Sequence, residues 1–274
     1  MQTHAPRWPH QTREENVMAY KPFDLTGKVA LITGGNSGIG LGMARAIAEA
    51  GGDVAIWGTN PTKNAAAKAF LEETGRKILA LECDVGDEAA VEKSFATTLD
   101  VLGRVDGCFA NAGIGAGRST PFHLYDTGDW RKVMRVNLDG AMYTLRAASR
   151  HMIELGGGGR LSGTASLAAI EGAARNEHYS ATKGGLVSML QSLAVEMARH
   201  GITANAILPG WIETDMTAKS IGNEKFAGNV MPRIPMRRWG KGADFGGLAV
   251  YIMSDASAYH TGESFVIDGG YSLF

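Results

Sequence analysis

A doubly wound α/β fold is what this chain predicts: a mostly parallel, seven-stranded sheet with helices on both faces. Three observations predict it. Short apolar runs alternate with helical patterns from Lys28 to the end. Strands that alternate with helices form βαβ units, and these build a parallel sheet covered on both sides. The first apolar run passes directly into a glycine-rich turn, Thr33 to Gly40, and then into a helical pattern. Glycine is also in excess, at 37 of 274 residues, about twice the usual share of ~7%.

The expected strands are Val29–Ile32, Val54–Trp57, Ile78–Leu81, Gly107–Ala110, Arg160–Thr164, Thr203–Leu208 and Phe265–Ile267. The fifth carries Ser162, Gly163 and Thr164, a polar and flexible stretch that weakens a buried strand. Between the strands lie five helical patterns. Gly38–Ala50 is small and apolar on one face, and Thr62–Thr74 is rich in Ala and Lys, with Thr62 as its expected cap. Glu88–Leu102 and a long Asp129–Leu155 follow. Tyr179–His200 places Leu186, Met189, Leu190, Leu193, Ala194 and Met197 at helical spacing. Residues 1–20 read as a flexible arm, or as one that packs on a neighbouring subunit, and 21–274 as one domain. The connection from Pro209 to Gly242 has no strand pattern, and connections that long are usually functional. Within it, 213–236 is expected to be a substrate lid, with Met216, Ile221, Phe226, Val230 and Met231 as its apolar residues.

Composition narrows the function. With 45% hydrophobic and 20% charged residues the chain is globular, and its length lets it bury a large core without staples. A net charge of -1 provides no basic field for nucleic acid or an anionic membrane. Two cysteines, Cys83 and Cys108, sit in apolar stretches, which fits a reducing compartment and a cytoplasmic location. No run has the length of a signal peptide core or a membrane span. The seven His are scattered and show no metal-ligand spacing, so no metal is expected.

Strand, glycine-rich turn and helix N-terminus together make an anion site, because glycines let the backbone approach a pyrophosphate that the helix amides and dipole face. Gly34, Asn36, Ser37, Gly38, Ile39 and Gly40 form that turn, spaced Gly-x-x-x-Gly-x-Gly. No Lys-Ser/Thr pair follows, which disfavours a phosphate-transferring P-loop. Tyr179 and Lys183 lie four apart on one helix face. A cation about 4 Å from a phenol is worth up to ~4 kcal/mol, or roughly three pKa units, enough to bring a Tyr from about 10 toward 7. That pair suits proton transfer at a carbonyl, although the spacing alone also arises by chance.

These motifs resemble the short-chain dehydrogenase/reductase family, from Asp24 to about Gly270. The resemblance rests on Thr33–Gly40, Asp84-Val85, Asn111-Ala112-Gly113, Asn137, Ser166, Tyr179-x-x-x-Lys183, Pro209-Gly210 and Asp268-Gly269-Gly270, in that order. It implies a Rossmann-like fold and an NAD(P)(H)-dependent oxidoreductase that interconverts a secondary alcohol and a ketone. By the same resemblance Tyr179 is the acid/base and Lys183 lowers its pKa and binds ribose. Ser166 orients the substrate oxygen, and Asn137 kinks its helix and anchors a proton relay. Asp84 and Val85 would meet the adenine, and Asn111, Ala112 and Gly113 its ribose. Pro209, Gly210, Ile212 and Thr214 would meet the nicotinamide amide.

NAD-selective folds place an acid at the end of the second strand, where it bonds the ribose 2′-hydroxyl. Here that position reads Gly58-Thr59-Asn60, with no acid, and Thr59 and Asn60 can donate to a phosphate. No Arg or Lys stands at 37 or 59, and Lys63 is expected to point outward from its helix. NADP is therefore expected to be favoured modestly over NAD, and an Asp introduced at 58 to turn the preference toward NAD. The expected substrate is a medium-sized, partly hydrophobic ketone or alcohol. One rival is a 3-oxoacyl-carrier-protein reductase, for which Arg131, Lys132 and Arg135 offer a basic patch. The other is a dinucleotide-binding regulator without turnover, against which the full Asn-Ser-Tyr-Lys set argues. The two long helices carry more apolar residues than one sheet face covers, and with the resemblance they predict a homotetramer.

Overall fold

The computed structural model describes residues 20–115 and 120–273. The arm expected over 1–20 lies, apart from Tyr20, outside the described residues. Seven strands form one sheet: β1 (Val29–Thr33), β2 (Asp53–Gly58), β3 (Ile78–Glu82), β4 (Gly107–Ala110), β5 (Gly159–Thr164), β6 (Ile202–Pro209) and β7 (Ser264–Ile267). Each lies where expected, its ends within one residue. Their order is β3-β2-β1-β4-β5-β6-β7, and every neighbouring pair is parallel. All of β1 and β6 is buried, which is why those runs read as mostly apolar, with Thr203 and Asn205 the buried polar residues of β6.

The helices are α1 (Gly38–Glu49), α2 (Pro61–Glu72), α3 (Glu88–Leu102), α4 (Thr127–Met134), α5 (Gly140–Leu155) and α6 (Glu177–Met197). They are followed by α7 (Ala218–Ile221), α8 (Glu224–Val230) and α9 (Gly246–Met253). One face of the sheet packs Met43, Ile47, Leu71, Phe245 and Ile252 from α1, α2, α9 and its approach. The other packs Val91, Phe95, Leu145, Met152, Leu186 and Leu190 from α3, α5 and α6. The chain winds outward from β1 to β3, returns across the sheet, and winds the other way from β4. The reversal leaves a crevice between β1 and β4 at the carboxyl ends of the strands, where ligands bind in such sheets.

Four features differ from expectation. The helix expected over Asp129–Leu155 is two helices joined by a π-helical turn, Arg135–Asp139. The cap of α2 is Asn60, whose side chain accepts from Lys63 N at 3.0 Å, with Pro61 in the first helical position; Thr62 is not the cap. Helix α9 begins with two glycines, and α1 lies against it so closely that a Cβ at Gly246 would stand 2.7 Å from Ala46 Cβ. The fifth strand survives its polar sequence because Gly163 seats α6 against the sheet: a Cβ there would lie 2.8 Å from Leu190 Cδ1. Ser162 Oγ, on the same strand, is buried without a partner.

The segment 213–236 holds α7 and α8. A bridge between Ile212 and Gly240 closes its base. Val230 and Ile234 pack with Leu167 and Tyr271, and Phe226 and Met231 join them. Most of its apolar residues thus cover the body, while Met216 faces the crevice described next.

Candidate active site

The crevice is a cavity of about 500 Å³ that runs from the end of β2 to the start of α6. Every predicted site residue lines it except Gly40 and Asn137. The glycine turn forms one end. Gly34 and Gly38 have φ of +63° and +52°, a left-handed conformation that glycine adopts without cost. A Cβ at Gly38 would approach Thr214 Cγ2 to 3.0 Å, so a side chain there would narrow the opening. Ser37, which caps α1, spends no side-chain hydrogen bond on the helix, leaving the first-turn amides to a ligand. Gly40 stands behind the wall, where a Cβ would collide with Gly34 O and come within 2.6 Å of Asn111 Nδ2. Its role is packing, which brings the helix onto the turn.

Asn111 ties three strand ends together. Its Nδ2 donates to Thr33 O at 3.0 Å, and its Oδ1 accepts from Thr164 Oγ1 at 3.0 Å. Thr33 Oγ1 accepts from the amides of Asn111 and Ala112. Asn137, at the centre of the π-turn, is 1% exposed and holds the backbone of Ile114 on both sides. Its Oδ1 accepts from Ile114 N at 2.8 Å, and its Nδ2 donates to Ile114 O at 3.0 Å. It therefore sets the position of the Gly113–Ile114 wall beside Lys183. Asp84 accepts from Gly86 N and pairs with Arg135 Nη1 at 3.0 Å, so its carboxylate already has a cationic partner.

Tyr179 and Lys183 lie in the first two turns of α6, beside Ser166 at the end of β5. Lys183 is buried, and its Nζ donates to Thr164 O at 2.7 Å while standing 5.4 Å from the Tyr179 ring centroid. Burial pulls the Lys183 ammonium down to about 8. Burial pushes the Tyr179 phenol up, opposed by a hydrogen bond with Ser166. The Lys183 ammonium faces the Tyr179 ring and bonds a carbonyl, Thr164 O. A phenol held protonated beside an oriented hydroxyl can donate to a carbonyl oxygen.

A family model described as enoyl-(acyl carrier protein) reductase matches residues 34–272. The chain belongs to the short-chain dehydrogenase/reductase family. Among its relatives is an L-rhamnose 1-dehydrogenase (NAD(P)(+)) of Sphingomonas sp., 33% identical over 252 residues that cover 90% of this chain and 96% of that protein. A 3-oxoacyl-[acyl-carrier-protein] reductase of Chlamydia pneumoniae is 35% identical, covering 90% and 97%. The solved structure of a gluconate 5-dehydrogenase from Burkholderia cenocepacia, in complex with NADP and tartrate, superposes with a TM-score of 0.86 at 32% identity, covering 92% and 98%. As a short-chain dehydrogenase/reductase the protein is an NAD(P)-dependent oxidoreductase of alcohols and ketones. The glycine turn, the open first-turn amides of α1 and the length of the cavity fit such a dinucleotide.

Two features of this short-chain dehydrogenase/reductase's cavity were not read from sequence. Lys63 lines the wall, with its half-exposed side chain reaching Asp215 at 2.7 Å. Gly58 has a steric reason: a Cβ there would collide with Asn36 Nδ2, which donates to the buried Asn64 Oδ1 at 2.7 Å. An Asp at 58 thus requires Asn36 to leave its place, and the expected switch toward NAD by that substitution does not follow from the geometry.

Proposed function

We propose that this short-chain dehydrogenase/reductase reduces a medium-sized, partly apolar ketone to a secondary alcohol, with Tyr179 as the proton donor. The observation that carries this reading is the placement of Ser166, Tyr179 and Lys183 together on the wall of one cavity that also holds the glycine turn. A bound nicotinamide dinucleotide supplies the hydride. Ser166 orients the carbonyl oxygen, Tyr179 gives it a proton, and Lys183 supports the ribose and the Tyr179 side chain. Asn137 positions Gly113 and Ile114, and Ile114 and Met216 provide apolar lining. The fold acts as one domain over 21–274, with 213–236 as the lid. The unpaired, buried Cys83 and Cys108 support a reducing compartment, the cytoplasm. Among the described residues no helix is long and apolar enough to cross a membrane.

NADP is favoured modestly. No carboxylate stands at Gly58, Thr59 or Asn60 to repel a 2′-phosphate. Assay of the purified protein with NADPH and NADH against sugar acids, cyclic ketones and 3-oxoacyl thioesters tests both parts. Ketone-dependent oxidation with a kcat/KM for NADPH above that for NADH, by less than about tenfold, is expected. A tenfold preference for NADH overturns the cofactor reading. Turnover of the thioesters alone favours the carrier-protein rival, a reading weakened by the engagement of Arg135 with Asp84.

The active form is a homotetramer. Val195 on α6 is 84% exposed, and Ile153 and Leu155 at the end of α5 also face solvent. Apolar residues so placed are buried economically by two-fold symmetric contacts. Sedimentation equilibrium is expected to give about four times the 29.0 kDa chain mass. A 29.0 kDa species at micromolar concentration would exclude it.

A further inference from the structure

Lys63 sits in the first turn of α2, just past the end of β2, and Asp215 follows Thr214 at the root of the lid. They are 152 positions apart in sequence, yet Lys63 Nζ lies 2.7 Å from Asp215 Oδ2. Both line the cavity, so their ion pair crosses it from the β2 side to the lid side. The pair is exposed, 48% at Lys63 and 69% at Asp215, and such pairs are weak and readily exchanged.

Four cations line the cavity among the described residues: Lys63, Lys132, Arg135 and Lys183. Lys183 is buried at the Tyr179 end and bonded to Thr164 O. Arg135 is paired with Asp84, and Lys132 shares its stretch of chain. Lys63 is therefore the cation beside Gly58, Thr59 and Asn60. In a doubly wound fold, the end of the second strand meets the 2′ position of the adenosine ribose. The Asn60 cap fixes the Lys63 backbone there by accepting from its amide.

We propose that Lys63 is the residue that recognises the ribose 2′-phosphate of NADP, and that Asp215 is its built-in competitor. The inference rests on the dinucleotide reading of the cavity. With NAD, Lys63 keeps its bond to Asp215 across the crevice. With NADP, the phosphate takes Lys63 and leaves the Asp215 carboxylate to solvent. Asp215 thus acts through Lys63, as a positioning residue that holds the preference for NADP to a modest one.

Calorimetric titration of the intact protein tests this without turnover, using NADPH, NADH, adenosine 2′,5′-bisphosphate and 5′-AMP. Lys63→Ala is expected to weaken NADPH and the bisphosphate about tenfold, the size of one lost charge-assisted hydrogen bond, and to move NADH and 5′-AMP less than about twofold. Asp215→Asn is expected to tighten NADPH roughly threefold, and this gain is expected to vanish in the double variant, since the two residues act as a pair. Equal changes for both dinucleotides in Lys63→Ala, or an Asp215→Asn gain that persists without Lys63, would overturn the proposal while leaving the dinucleotide reading intact. A wild-type protein that binds neither dinucleotide overturns both.

Discussion

Tyr179→Phe is expected to lower kcat by at least about 100-fold while the dinucleotide dissociation constant changes less than about twofold. The substitution removes one oxygen and keeps the ring against which the Lys183 ammonium rests. General acid groups contribute roughly 10²–10⁴-fold, and no neighbour stands ready to replace this one. Ser166 is an ordinary hydroxyl whose Oγ already accepts from Ala168 N at 3.2 Å. Lys183 is committed to Thr164 O at 2.7 Å. The steady-state rate with saturating NADPH and ketone measures the effect, and the melting temperature verifies that the fold is intact. Retention of more than about a tenth of the wild-type rate would show that the proton comes from elsewhere.

Why the strands and the glycine turn were legible is a matter of local physics. β1 and β6 are buried on both faces, so their residues are mostly apolar, and the run declares itself without periodicity even though β6 also buries Thr203 and Asn205. Helical spacing put Tyr179 and Lys183 on one helix face and Ser166 fell at a strand end, but it was the family resemblance that singled the three out. What stayed hidden depends on distant chain. Helix α9 opens with Gly246 and Gly247, poor helix formers, and it forms because it packs onto α1 and the sheet. At Asn137 the resemblance implied a kink but not its partner: the amide takes both backbone groups of Ile114, a loop residue 23 positions earlier. Lys63 reaches along the cavity rim because Asp215 is brought to it from 152 positions away. The α2 cap is a different kind of miss: the Asn60-Pro61 pair was a local signal for a helix start, and it outweighs Thr62.

Lys183→Met is expected to make the protein more stable at pH 7 and inactive, and the stability gain is expected to reverse with pH. Lys183 is 4% exposed, and burial holds its folded-state value at about 8 against an ordinary 10.5. Between those values the unfolded chain binds the proton more tightly than the folded one. Below about 8 both states are charged, and the folded state bears the full cost of the buried ammonium. As pH rises from about 8 to 10.5 that cost fades, so this group makes wild type more stable with increasing pH. The shift corresponds to about 3 kcal/mol at ~1.36 kcal/mol per unit. Methionine removes the cost but leaves Thr164 O without its donor, a loss of roughly 1–2 kcal/mol. The net gain at pH 7 is then about 1–2 kcal/mol, or a Tm rise of roughly 2–8 °C. Near pH 10 the cost has fallen to about 1 kcal/mol or less, the lost hydrogen bond outweighs it, and wild type becomes the more stable of the two. Calorimetric melting of both proteins from pH 7 to 10 follows the crossing, with the inability of the variant to turn over ketone measured in parallel. A variant less stable than wild type at pH 7, or a difference that does not change with pH, would show that the Lys183 charge carries no such cost. If the crossing is seen, the ammonium that serves Tyr179 is held in place against the stability of the fold.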